Sequence, residues 1–163
     1  MASTRGDKIF PHFWYVSEAE EAARFYASIF PDSRVDRVVP LPVESPSGPA
    51  GSVKIVDFTL FGKRFQAMSA GPLDPFNHAI SMVVLCEDQA ELDKYWAALL
   101  KGGKEEQCGW LKDRYGVSWQ IVPRLMDDWM ADTNVERAKR VANAMLQMVK
   151  LDFAKLKAAH EGR

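Results

Sequence analysis

The chain repeats one arrangement of apolar and polar positions. In its first half, Phe13-Trp14-Tyr15-Val16 leads to Ser17, with Glu20 three residues later, and Ala19, Ala22, Ala23, Tyr26 and Ile29 then recur at helical spacing until Pro31. In its second half, Ile80-Ser81-Met82-Val83-Val84-Leu85 leads to Asp88, with Glu91 three residues later, and Leu92, Tyr95, Trp96 and Leu99 follow until Gly102-Gly103. Each stretch predicts a strand and then a helix. A capping box opens the helix, its Ser or Asp accepting from a free N–H of the first turn while the Glu reaches back, and a breaker closes it. The two boxes lie 71 residues apart (91 minus 20). That spacing predicts a duplicated unit about half a small domain long.

The rest of the chain fits around the two units. Ile9 to Val16 is dense in aromatic and β-branched residues and predicts the first strand. Arg34 to Val39 alternates as a second strand, and Pro40, Pro42, Pro46, Gly48, Pro49 and Gly51 then punctuate a loop. Proline removes the ladder donor and fixes its own φ, so this loop cannot pair regularly, and its length suits a lid or an edge cover. Val53 to Phe61 and Arg64 to Ser69 predict a hairpin around Gly62-Lys63, and Gly71-Pro72 to Phe76 crosses to the second module. There, Glu105 to Lys112 and Val117 to Val122 read as strands joined by Asp113-Arg114-Tyr115-Gly116, closed by Pro123. From Leu125 the pattern turns helical: Val135, Ala138, Val141, Ala142, Met145, Leu146 and Val149 form an apolar stripe behind the candidate caps Thr133 and Asn134, and Phe153 to Ala159 adds a short helix after Asp152. The stripe must lie on its own sheet or on a second subunit. The expected fold is α+β: a flexible lead over residues 1–8, one domain over 9–124 built from tandem βαβββ modules (9–70 and 78–124) that form a curved mixed sheet around a hollow, and a helical extension over 125–163.

Composition narrows the function. A chain of 163 residues can bury a core without metal or disulfide support. Its 21 Lys+Arg against 22 Asp+Glu leave a formal charge of −1, without the positive field that phosphate backbones require, so nucleic acid is not an expected partner. The longest apolar runs, such as Ala79 to Cys86, are far short of the ~20 residues that span a bilayer, and Met1 to Lys8 carries no apolar leader segment, so the expectation is a cytoplasmic protein without a membrane partner. Cys86 and Cys108 are then two reduced thiols, read as small half-buried hydrophobes because no base or second cysteine stands at C-x-x-C spacing. Asp127-Asp128 with Asp132, around Trp129, reads as helix-start charge, and Lys112-Asp113-Arg114 beside Trp110 as a solvated hairpin tip.

Several strings resemble a known family. Pro11-His12-Phe13-Trp14-Tyr15, Ala19-Glu20-Glu21-Ala22-Ala23-Arg24-Phe25-Tyr26 and Phe30-Pro31-Asp32-Ser33 are similar to the opening of PhnB-like proteins, also called 3-demethylubiquinone-9 3-methyltransferase-like. Cys86-Glu87-Asp88-Gln89, Cys108-Gly109-Trp110, Gly116-Val117-Ser118-Trp119-Gln120-Ile121-Val122-Pro123 and Met148-Val149-Lys150-Leu151-Asp152 carry the resemblance through the second half. It implies the vicinal oxygen chelate superfamily (glyoxalase, bleomycin resistance and dioxygenase proteins), whose members are homodimers of paired βαβββ modules. Many of them hold a divalent metal on His and Glu ligands. Matched to those ligand places, this chain offers Pro11, Ser81, Gln120 and a residue near Ala67 or Met68, with His12 one residue out of phase on its strand.

The resemblance therefore implies a weakened or absent metal site. His12 and His78 are the only plausible imidazole pair, and two imidazoles without a carboxylate hold zinc, nickel or manganese poorly. Asp57 could supply the carboxylate if it pointed inward, but it is expected to face solvent or cap a turn. His160, in a polar C-terminus, is expected to be exposed. If the family register holds, Ser118 and Gln120 share the concave face with Phe13, Tyr15, Gln66 (or Phe65), Met68 and Ser81, and Trp119 packs under a helix. Such a lining suits a small apolar ligand. The leading expectation is a small-molecule-binding homodimer without a cofactor. The alternatives are a divalent-metal-dependent lyase, isomerase or dioxygenase, and a structural dimer that binds no ligand.

Overall fold

The computed structural model describes residues 8–163. The expected flexible lead thus falls outside the described residues except for Lys8, which is exposed. The chain divides into two compact units, residues 1–74 and 75–163.

The first unit runs β1 (His12–Tyr15), α1 (Ala19–Ile29), β2 (Arg34–Pro40), β3 (Lys54–Leu60) and β4 (Lys63–Ser69). Its sheet has the order β1-β4-β3-β2, with β1 parallel to β4 and the other pairs antiparallel. The second unit runs β5 (Met82–Cys86), α2 (Gln89–Leu99), β6 (Lys104–Glu105), β7 (Trp110–Lys112) and β8 (Ser118–Pro123), and its sheet has the matching order β5-β8-β7-β6. Both are βαβββ units. The single strand expected over Glu105 to Lys112 is in fact the β6–β7 hairpin, because Cys108 and Gly109 take positive φ (60° and 83°) and reverse the chain.

The two copies are offset by different amounts in their strands and helices. Tyr15 O accepts from Ala70 N as Cys86 O accepts from Arg124 N, which sets the first strands 71 residues apart (86 minus 15). The helices begin at Ala19 and Gln89, only 70 apart (89 minus 19). The strand-to-helix connection is therefore one residue longer in the first unit, and this undoes its expected capping box. Glu18 occupies the N-cap without a side-chain cap bond, and the free N–H of Ala19 is met by Ser69 Oγ at 3.0 Å. In the second unit the cap itself forms, with Asp88 Oδ1 accepting from Glu91 N (2.8 Å), while Glu91 Oε2 reaches one residue past the N-cap and accepts from Glu87 N (2.6 Å).

Each helix covers one face of its own sheet. Ala22, Ala23, Tyr26 and Ile29 of α1 are buried against Val56, Phe58, Leu60 and Ala67, and Leu92, Tyr95, Trp96 and Leu99 of α2 against Val84, Leu111, Trp119 and Ile121. Burial pushes the Cys86 thiol up to about 12, so it stays protonated and inert.

The tail completes the second unit. It forms α3 (Met126–Met130), α4 (Val135–Leu146) and α5 (Phe153–Glu161). Asn134 caps α4 as the sequence predicts, whereas Thr133 does not and Val149 lies beyond the end of α4; Asp152 caps α5 by accepting from Lys155 N. Met148 O and Val149 O accept from Cys108 N and Gly109 N, which ties the tail to the β6–β7 turn, and Leu151 and Leu156 are buried. A groove of about 490 Å³ here is lined by Gln89, Asp93, Lys150, Leu151 and Lys155, but its polar groups hold the tail. Lys150 Nζ meets Asp93 at 2.6 Å, and Gln89 bonds both Leu151 O and Phe153 N. His160 is not exposed as expected. It lies 2.7 Å from Asp132 and stacks on Trp129, while Arg140 holds the carbonyls of Ala159 and His160.

Candidate functional site

Helix α1 covers one face of the first sheet, and the register fills the opposite face with two rows. Residues opposite one another in a ladder share a face. His12, Gln66 and Asp57 are directly paired across β1, β4 and β3, and Arg37 of β2 pairs Asp57. In the next row Trp14 pairs Met68, Met68 pairs Ile55, and Ile55 pairs Val39. One row is polar throughout; its neighbour is apolar throughout.

The polar row is one chain of hydrogen bonds. Arg37 donates from Nε (3.0 Å) and Nη2 (2.5 Å) to Asp57 Oδ2. Gln66 Nε2 donates to Asp57 Oδ1 at 2.8 Å, and Gln66 Oε1 lies 2.9 Å from His12 Nδ1. Arg64 stands 3.6 Å from Asp57 and stacks over Phe10, 3.8 Å from its ring centroid. Asp57, expected in solvent or at a turn, is only 8% exposed. A carboxylate is stable there because two guanidinium groups and an amide meet its oxygens.

Burial alone would raise the Asp57 pKa, but the hydrogen bonds from Gln66 and Arg37 and the charges of Arg37 and Arg64 outweigh it and hold the carboxyl below its usual 3.8. A depressed folded-state pKa gives stability that is present above the unfolded value and lost as pH falls through the folded one. The stability advantage of the wild type over Asp57→Asn should therefore shrink as pH drops below about 4. Denaturant titrations at several pH values read this, and an advantage constant from about pH 6 to about pH 3 would contradict it.

On the second unit, Ser118 and Gln120 share the face opposite Trp119 and Ile121. Gln120 Nε2 donates to Ser81 Oγ at 2.9 Å, and Trp110 stands beside Gln120 in the ladder. Ser118 is buried with no partner for its hydroxyl. His78 bonds Glu106 (2.6 Å) and leans on Trp110. Among the described residues no three His, Cys, Asp or Glu side chains are grouped so as to hold a metal ion. In the first unit an amide separates His12 from Asp57, so this donor set does not fit one.

The sequence profile of the family described as 3-demethylubiquinone-9 3-methyltransferase matches residues 7–122. A solved protein of Bacillus cereus, named as PhnB and 3-demethylubiquinone-9 3-methyltransferase, is 31% identical, with a TM-score of 0.62 over 72% of this chain and 99% of that one. The chain belongs to this PhnB family. PA1353 of Pseudomonas aeruginosa (19% identity, TM-score 0.53, 70% of this chain and 95% of that one) and the fosfomycin resistance protein FosX of Mesorhizobium loti (14%, 0.56, 78% and 98%) share the fold. This is the glyoxalase/bleomycin resistance fold that the resemblance implied. A comparison with curated proteins gives no match.

Within this PhnB-family chain the expected pocket residues are drawn from both units. Gln66 and Met68 lie on the open face of the first sheet, and Ser81, Ser118 and Gln120 belong to the second unit. Phe13 and Tyr15 turn the other way. Both are buried on the helix side, Tyr15 with its hydroxyl 3.2 Å from that of Tyr26 and Phe13 against Phe58 and Phe65. His12 follows the opposite alternation and reaches the open face, where Phe13 and Tyr15 were expected. A second repeat carried the missed signal: Phe65-Gln66-Ala67-Met68 and Trp119-Gln120-Ile121-Val122 each set an aromatic residue, a glutamine and two apolar residues in the last strand of a unit, 54 positions apart (120 minus 66).

Proposed function

We propose that the protein is a metal-free small-molecule-binding member of the PhnB family whose ligand lies on the open face of the first sheet. The observation that carries this is the pair of adjacent rows, His12-Gln66-Asp57-Arg37 and Trp14-Met68-Ile55-Val39, which sets oriented polar groups beside an apolar strip. That is the usual make-up of a small-ligand site. A methyl transfer reading has little support here, since neither strand-to-helix connection, Val16-Ser17-Glu18 or Glu87-Asp88, contains the glycine that lets a nucleotide-like cofactor approach the backbone. A homodimer is part of the proposal, favoured by α4, which exposes Val135 (71%) and Leu146 (57%). So is a reducing, cytoplasmic setting, favoured by the two free thiols.

Two measurements test the reading. Protein purified without chelator should carry no stoichiometric zinc, nickel or manganese; one ion per chain would favour the metal-dependent lyase, isomerase or dioxygenase instead. A thermal-shift screen of small aromatic molecules should give stabilisation by RT ln(1 + [L]/Kd), about 2.7 kcal/mol at 100 times Kd. A flat screen would favour a structural dimer without a ligand.

A further inference from the structure

The hydrogen-bond row of the first sheet has a direction. The Asp57 carboxylate has acceptors only, and Arg37 has donors only. Arg37 occupies Oδ2, so Oδ1 is left to receive the amide nitrogen of Gln66 at 2.8 Å. This fixes which way the Gln66 amide lies, and its oxygen Oε1 must point at His12 Nδ1, 2.9 Å away. An amide oxygen can only accept, so His12 Nδ1 must carry the proton. In the neutral imidazole Nε2 then holds a lone pair, and no described residue bonds that nitrogen. His12 itself is exposed on the open face.

We propose that Arg37, Asp57 and Gln66 lock His12 in the Nδ1–H tautomer, so that Nε2 is a dedicated hydrogen-bond acceptor for a hydroxyl on an aromatic ligand whose ring lies over Trp14 and Met68. This rests on the binding face proposed above and names what that face selects. The locked tautomer is the opposite of the one that a free imidazole side chain favours, so the row does work that solvent alone would not. Trp14 and Met68 follow on the same side of the sheet two positions along β1 and β4, the spacing at which one ring can touch both while its hydroxyl meets His12. Asp57 and Gln66 are positioning residues: they touch His12, not the ligand. A phenol is the simplest molecule that satisfies the face; its methyl ether keeps the ring and removes the donor.

Nitrogen NMR of the full-length labelled protein reads the tautomer directly, with the His12 signals identified by their loss in His12→Asn. Wild type should show a protonated Nδ1 and a bare Nε2. In Asp57→Asn, Arg37 still demands the side-chain oxygen, so the new amide nitrogen faces Gln66, Gln66 turns over to accept from it, and its own nitrogen donates to His12 Nδ1. The proton must then sit on Nε2, and the two nitrogen shifts should exchange. If that variant does not fold, Gln66→Met cuts the row while leaving Arg37 and Asp57 together, and the Nδ1–H preference should be lost. A wild-type Nε2–H form, or one unchanged tautomer in wild type and both variants, would overturn the lock. For the ligand, p-cresol should bind wild type about fivefold more tightly than 4-methylanisole, about 1 kcal/mol, and that preference should vanish in Asp57→Asn or, failing that, in Gln66→Met. Equal affinities in wild type would overturn the hydroxyl site. If neither molecule shifts the signals of Trp14 and Met68, the binding face falls and the hydroxyl site with it, while the nitrogen shifts still decide the tautomer.

Discussion

Trp119→Ala should remove about 3–5 kcal/mol of stability, measured by chemical denaturation at neutral pH. Trp119 is buried between β8 and α2, and its indole Nε1 donates to Asp113 Oδ2 at 2.8 Å. The same carboxylate uses Oδ1 to accept from Tyr115 N (2.8 Å) and Val117 N (3.1 Å), so one buried side chain ties the β7–β8 turn to the core. Truncating the tryptophan therefore opens a cavity and also takes a donor from a buried carboxylate. Trp119→Phe separates the two effects. It keeps one aromatic ring in place and loses the N–H with only part of the indole's volume, so it should cost about 1–3 kcal/mol. A loss under about 1 kcal/mol for the alanine variant would mean that the turn and the helix, not this residue, hold the second sheet.

The hairpin tip shows how much of the fold a sequence carries. The turn Asp113-Arg114-Tyr115-Gly116 and the strand beyond it were legible because turn chemistry and period-two alternation are local, but Asp113, read as part of a solvated tip, is only 4% exposed, and Trp119 was expected under a helix only through the family resemblance. The duplication was legible for the same reason. What was not legible was register. Asp57 alternates with Val56 and Phe58, which is enough to put it on the far side of β3 from the helix, but its partners come from β2 and β4, across 20 and 9 residues of chain. Cross-strand neighbours are set by the pairing of whole strands, and β2 slips by a bulge between Val35 and Arg37 that no local pattern announces. The polar row could not be assembled without that slip.

The family register put Phe13 and Tyr15 on the open face, whereas the first strand buries both on the helix side. Strand offset (71) and helix offset (70) differ by one residue, so a position carried along from the helix ends up on the wrong side of the strand. That single residue separates a view in which Phe13 and Tyr15 line the open face from the observed one, where His12 and Trp14 do. It also costs α1 its capping box and leaves Ser69 to meet the first free N–H.

Leu151→Ala should cost about 2–5 kcal/mol, while Leu146→Ala should change the stability of the monomer by no more than about 0.5 kcal/mol. The two leucines lie five positions apart on the same tail (151 minus 146), and only burial distinguishes them: Leu151 is 1% exposed and Leu146 is 57% exposed. Leu151 sits so close to the β6–β7 turn that a methyl group on Gly109 would stand 3.0 Å from its side chain, and its carbonyl receives Gln89 of α2. Losing its packing should loosen α5 and the β6–β7 turn together, so unfolding followed by tryptophan fluorescence and by amide exchange in α5 should shift in parallel. Separate transitions would show that the tail is an appendage and not part of the second unit's core. Leu146→Glu then isolates the remaining role of the tail. If α4 meets a second copy, this variant should halve the mass in solution and leave the core transition of the monomer where it was, because the side chain it changes is 57% exposed.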